Sequence, residues 1–266
     1  MIRALFLRQL RLLGGLFGVT FAGLVGFEFL ALHVAEAFEK GPGLARLVAM
    51  LPQFMQDVVT SQVGPVSFAA LVAAGFMHPV AFAATLGTII LAATVPAGER
   101  ESGLLDLFLA RPLSRERYLV ASILLVVVLA LVLPLALLLG ARLALWHIEI
   151  TDELPWTRYV PCALGLSTLL LGMGGVTLAL AVETQRRGVA VARAIGLVLV
   201  LYLLEVSAKF WPALEDLAKL SPFHWFTPIP SAMDDVWPLA DMGVLLALFV
   251  LATSWALLRF RGKDLS

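Results

Sequence analysis

The chain has 266 residues, 61% of them hydrophobic and 14% charged, with nineteen basic residues balanced by nineteen acidic ones. Soluble domains run near half apolar and a quarter charged, so this composition excludes an ordinary soluble domain and marks an all-α integral membrane protein. The length leaves room for about six spans in a single transmembrane domain over 1–266, and the lone Cys162 excludes an intrachain disulfide.

The N-terminal stretch 1–13 interleaves Arg3, Arg8 and Arg11 with leucines on one helical face and has no small-residue cleavage site, so it reads as a retained interfacial helix on the inner leaflet. A first span over 14–34 follows. Its Gly14, Gly15, Gly18, Gly23 and Gly26 predict a helix packed closely on that face. Glu28 lies in its outer half without a local partner, and an intramembrane carboxylate is a functional-site hypothesis, here for a substrate path or a helix contact. Residues 36–64 mix charges with Leu47, Leu51, Phe54 and Val58 and read as an outer amphipathic surface.

Residues 65–96 are apolar for about 45 Å of helix, longer than the roughly 30 Å core, and His78-Pro79 is the natural break. That gives an outer re-entrant or surface helix over 66–76 and a second span over 77–96. Further spans are expected at 118–141, which contains Pro134, at 159–182, which contains Gly165, Gly172, Gly174 and Gly175, at 189–211 and at 236–258. Between the last two, 212–238 gathers prolines, aromatics and acids into an ordered outer cap. Thirteen of the nineteen basic residues fall in the N-terminus, the 98–117 loop, the 186–193 loop and the C-terminus, which puts both termini in the cytoplasm and the protein in the inner or plasma membrane.

The most specific segment is 98–115. Within it Leu105, Phe108, Leu109 and Pro112 recur at i, i+3, i+4, i+7, predicting a short cytoplasmic helix with Ser102 as its N-cap and Pro112 as its stop. Glu99-Arg100-Glu101-Ser102-Gly103 followed by Arg111-Pro112-Leu113-Ser114-Arg115 resembles the E-x-E-x-G…P-x-S-R signature of type-2 ABC exporter permeases. Leu220 to Phe226, with its Ser221-Pro222-Phe223, and the ending Phe260-Arg261-Gly262-Lys263-Asp264-Leu265 resemble two further stretches of that family, so the likeness covers nearly the whole chain. Leu104 stands where the family usually has threonine, and Ala121 and Ser122 where it commonly has a lysine.

The resemblance implies an exporter permease that pairs with a second copy and with cytoplasmic ABC ATPase subunits, ATP and Mg being bound by those partners and no cofactor by this chain. It further implies that Glu99, Arg100, Glu101, Leu105, Phe108 and Arg111 couple the permease to the ATPase. The residues themselves agree with an external energy source: no phosphate loop occurs, and the only Gly-Lys pair, Gly262-Lys263, lacks the preceding glycine. His33, His78, His147 and His224 stand singly, without metal-ligand spacing, and read as interfacial residues. Glu183 opens the Arg186 loop, and Glu205 is spaced to pair with Lys209 on a helix face. No catalytic residue, metal or nucleic-acid partner is expected; the partners are the ATPase, a second copy and membrane lipids. Two other readings stay open, a membrane-embedded enzyme, for which Gly165-Leu166-Ser167-Thr168 is a weak signal, and a non-transporting anchor for an ATPase.

Overall fold

A computed structural model describes residues 2–39, 50, 53, 68–109, 114–148, 155–234 and 236–262. Arg111, Pro112 and nearly all of the expected surface segment beyond residue 39 therefore lie outside the described residues. Among those described the chain is helical without strands, and six stretches of helix are long and apolar enough to cross a membrane.

Helix α1 runs Ile2–Glu39, about 57 Å of continuous helix. Residues 2–13 are thus its opening turns and not a separate element, because nothing between Ile2 and the span removes a backbone donor. The glycine-rich face behaves differently from expectation. A Cβ built on Gly14, Gly15, Gly18, Gly23 or Gly26 meets nothing within 4 Å, so that face has no close helix partner among the described residues. The close approach is made by a glycine on another helix, Gly140, where an added Cβ would lie 2.9 Å from Glu28 Cβ and 3.3 Å from the Phe29 nitrogen.

The apolar stretch after residue 65 breaks where the proline predicts. Helix α2 is Phe68–Gly75 and helix α3 is Pro79–Ala93. His78 between them is extended, and its Nδ1 accepts the Val80 N–H at 3.2 Å, an N-cap placed before a proline that needs no donor. At the other end of α3, Thr94 closes the helix and Val95–Glu101 forms a short helix α4 that sequence periodicity did not mark.

Ser102 ends α4; it does not begin the next helix, and its hydroxyl donates to the Glu99 carbonyl at 3.2 Å. The reason is Gly103, whose φ of 72° lies in the left-handed region and turns the chain out of α4. Helix α5, Leu104–Leu109, follows. Ser114 then caps helix α6, Arg115–His147, which has Glu116 in its first turn and runs on through a buried Pro134.

A 3-10 turn at Trp156–Tyr159 leads into helix α7, Val160–Glu183, followed by α8, Arg187–Ala208. Between α8 and the last span, α11, Leu239–Gly262, the chain makes short helical turns at Pro212–Leu214 and Pro222–Trp225 and the short helices α9, Glu215–Ala218, and α10, Pro228–Met233. These turns are pinned to α8: Ser221 Oγ donates to the Leu201 carbonyl at 2.9 Å, and His224 Nδ1 meets the Glu205 carboxylate at 3.2 Å.

Helices α6 and α7 form the centre, with α1 lying along α6 and α11 along α7. Gly172 and Gly175 let α11 come close, since a Cβ on Gly175 would sit 3.2 Å from the Phe249 carbonyl oxygen. By contrast α8 leaves Leu199, Val200 and Leu203 more than half exposed, a surface suited to hydrocarbon.

Candidate functional site

Three consecutive residues at the end of α4 gather the ends of five of the six candidate spans. Glu99 is 5% exposed, and its carboxylate takes the Arg8 guanidinium of α1 on one oxygen and the Tyr118 hydroxyl of α6 on the other. Beside it Gln9 Nε2 donates to Ser122 Oγ at 3.0 Å, so α1 and α6 are joined twice. A carboxylate is costly to bury alone, and here one cation and one hydroxyl satisfy it.

Arg100 engages α7 and α11. One of its nitrogens donates to the carbonyls of Val182 and Thr184, each at 3.0 Å, at the end of α7 where carbonyls lack helical partners and the helix dipole favours a cation. Its guanidinium also lies 5.7 Å from the ring centre of Phe260 on α11, and Phe260 stacks on Tyr118 at 6.1 Å. Glu101 completes the set by accepting the Arg187 backbone N–H at 2.8 Å, which caps the start of α8.

Arg187 sends its side chain back to donate to the Leu91 carbonyl of α3 at 3.0 Å, crossing Gly98, where an added Cβ would lie 2.9 Å from Arg187 Cδ. Two ion pairs brace the rim, Arg259 with Glu183 and Arg261 with Glu116, each at 2.7 Å. Through these contacts α4 touches α1, α6, α7, α8 and α11, and Arg187 ties α8 to α3.

The residues singled out in sequence divide by environment. Glu99 and Leu105 are buried within the chain, Glu101 is exposed but engaged with α8, and Arg100 is engaged with α7 and α11. The side chain of Phe108 and all of Arg111 lie outside the described residues. What α5 presents outward is Leu104, 38% exposed, and Leu107, 67% exposed. Sequence reasoning passed over Arg8, Tyr118 and Arg187 as partners of this segment; the even spread of arginines over the charged ends was the only signal pointing to them.

Glu28 is completely buried, and its two oxygens have no hydrogen-bond partner among the described residues. It fits between two glycines: an added Cβ on Gly75 would strike its carboxylate, and one on Gly140 would crowd its Cβ. The Tyr159 hydroxyl is also buried without a hydrogen-bond partner among the described residues.

Between α3 and α8 lies an apolar cleft of about 340 Å³, lined by Phe82, Leu86, Ile195, Leu199, Tyr202 and Phe223 among others. Phe82 meets Tyr202 and Phe223 edge-on at 6.2 and 5.8 Å. Glu28 is not part of its wall. No group of three or more possible metal ligands occurs among the described residues.

No curated protein matches the chain. Residues 7–261 match the family model described as "Multidrug efflux system permease Rv1217c, C-terminal domain", a match that takes in the whole α4 knot and all but the outermost residues of the six candidate spans. The chain belongs to that family of efflux-system permeases.

Proposed function

We propose that this permease is the membrane-spanning subunit of an ATP-driven exporter of the type-2 ABC class, working as a pair of copies with separate cytoplasmic ATPase subunits that bind ATP and Mg. The observation that carries the reading is the knot at Glu99, Arg100 and Glu101, because three adjacent residues that hold the ends of five spans, on a short helix that directly follows the remaining one, make one lever of the segment beside α5. A subunit that pushed on α5 would move α4, and α4 would carry the motion into the bundle. Such levers need rigid, satisfied contacts, since a loose side chain would absorb the displacement.

In this reading α5 seats on the ATPase through Leu104 and Leu107, Phe108 and Arg111 keep the coupling roles that the family resemblance implies, and Glu99 and Arg100 act from within the permease to hold the segment in place. The charged end of the bundle, with both chain termini, faces the cytoplasm. The apolar cleft between α3 and α8 suits an apolar or amphipathic cargo, and Glu28 would join the path in a state where α1 separates from α2 and α6.

The test is functional. The purified chain alone should hydrolyse no ATP, and vesicles containing it with its ATPase subunit should expel an apolar fluorescent dye only when ATP is supplied. Hydrolysis by the isolated chain, or a complex that hydrolyses ATP but moves no cargo tried, would count against the exporter reading.

A further inference from the structure

A second feature at the charged end of the bundle adjoins the knot and shares its residues. A cavity of about 460 Å³ opens between α1, α4 and α8, walled by Arg8, Leu12, Val95, Glu101, Ser102 and Arg187 among others. It adjoins a groove of about 430 Å³ along α1 that shares Arg8 and Leu12 and adds the exposed Arg11.

The depth of this cavity follows from helix length. Helix α8 has 22 residues, about 33 Å, which just crosses a hydrocarbon core, so Arg187 at its first residue stands at one boundary. Arg8 is tied to Glu99 at that same end, and Arg11 is one turn nearer the core. The cavity therefore lies at headgroup level.

The wall holds two arginines and two carboxylates, and Arg11 of the adjoining groove tips the balance toward an anion. The two carboxylates in the wall are already engaged, Glu99 by Arg8 and Tyr118 and Glu101 by the Arg187 backbone N–H. Arg11 is exposed in the adjoining groove, and the buried Nε of Arg187 has no hydrogen-bond partner among the described residues. From the groove an apolar stripe leads into the membrane along one face of α1: Leu12, Leu16 and Val19 are spaced i, i+4, i+7 and are 59%, 38% and 75% exposed.

We infer that this cavity is a binding site for an anionic glycerophospholipid, its phosphate held among Arg11, Arg187 and Arg8 and one acyl chain laid along Leu12, Leu16 and Val19. A basic pocket between helices beside an acyl-width apolar strip matches both parts of such a molecule, whereas a free anion would use only the first. The inference rests on the membrane fold and is independent of whether the chain is an exporter.

The experiment is a titration of the full chain in neutral detergent, read by its thermal unfolding midpoint, with dioleoylphosphatidylglycerol, dioleoylphosphatidylcholine or inorganic phosphate. The phosphatidylglycerol should raise the midpoint saturably, and the other two should not. Arg11→Gln, an exposed change, should weaken the apparent affinity about fivefold, the effect of one arginine at an anionic surface. Lys219→Gln, whose exposed ammonium pairs with Asp216 outside the spans, should leave it unchanged. Equal responses to the two lipids, full competition by inorganic phosphate, or wild-type affinity in Arg11→Gln would each overturn the inference. Arg187→Gln should lose more, and if it does not fold, the Arg11 result still decides.

Discussion

Glu99→Ala is expected to lower the stability of the detergent-solubilised chain by about 3 kcal/mol and to uncouple its assembled complex. The substitution takes the carboxylate acceptor from the buried Tyr118 hydroxyl, leaving it Gln9, and removes one partner of Arg8. Breaking a buried charge pair costs about 3–5 kcal/mol, but the Arg8 side chain is 33% exposed and can regain water, which places the effect at the low end. The functional signature should be a split: ATP hydrolysis by the complex persists while transport falls, because the ATPase can still turn over against a segment that no longer moves α1 and α6. Glu99→Gln, which still offers an oxygen to Tyr118, should lose less stability than the alanine variant. An unfolding midpoint like wild type for Glu99→Ala, with transport intact, would remove the knot from the mechanism.

The second large effect is expected at Gly140. Here α1 and α6 touch backbone to backbone, and an added Cβ would meet Glu28 Cβ at 2.9 Å and the Phe29 nitrogen at 3.3 Å. Neither atom can swing aside as a side-chain tip would. Gly140→Val must therefore separate the two helices and loosen both Glu28 and the contacts along their length, costing about 3 kcal/mol or more. Gly14→Ala on α1 is the matched control: its Cβ enters open space, and the better helix former should be neutral or stabilising by up to about 1 kcal/mol. Thermal unfolding of the two variants side by side checks the pair, and equal midpoints would refute the packing described for α1.

The contrast between these glycines shows what could be read from the chain and what could not. Span positions were legible because hydropathy reports directly on the cost of leaving water, and the break at His78-Pro79 was legible because proline acts locally. The facing of each span was not. In a soluble protein an apolar face must turn inward, but in a membrane a leucine or glycine is equally at home against lipid or against another helix, so the glycines of α1 and Gly140 look alike in sequence and stand in opposite environments.

The same ambiguity affects the coupling segment. Residues 104–109 are helix, but Leu105 turns into the chain while Leu104 and Leu107 face out, and the rest of the expected apolar face lies outside the described side chains. The charges of Glu99, Arg100 and Glu101 read as a surface for a partner; their engagement with helix ends far along the chain is invisible to local pattern, since Arg8 lies 91 residues from Glu99 and Arg187 lies 86 from Glu101.

The most direct test of the coupling role is a photo-crosslinking amino acid placed at position 107 in the assembled complex, with position 220 as its counterpart. Leu107 on α5 is 67% exposed at the charged end of the bundle, and Leu220 is 74% exposed among the short helices after α8. The expected result is a covalent adduct with the ATPase subunit from position 107 and none from position 220. An ATPase that assembles with the permease but crosslinks from position 220 and never from position 107 would contradict the assignment of α5 as the coupling helix.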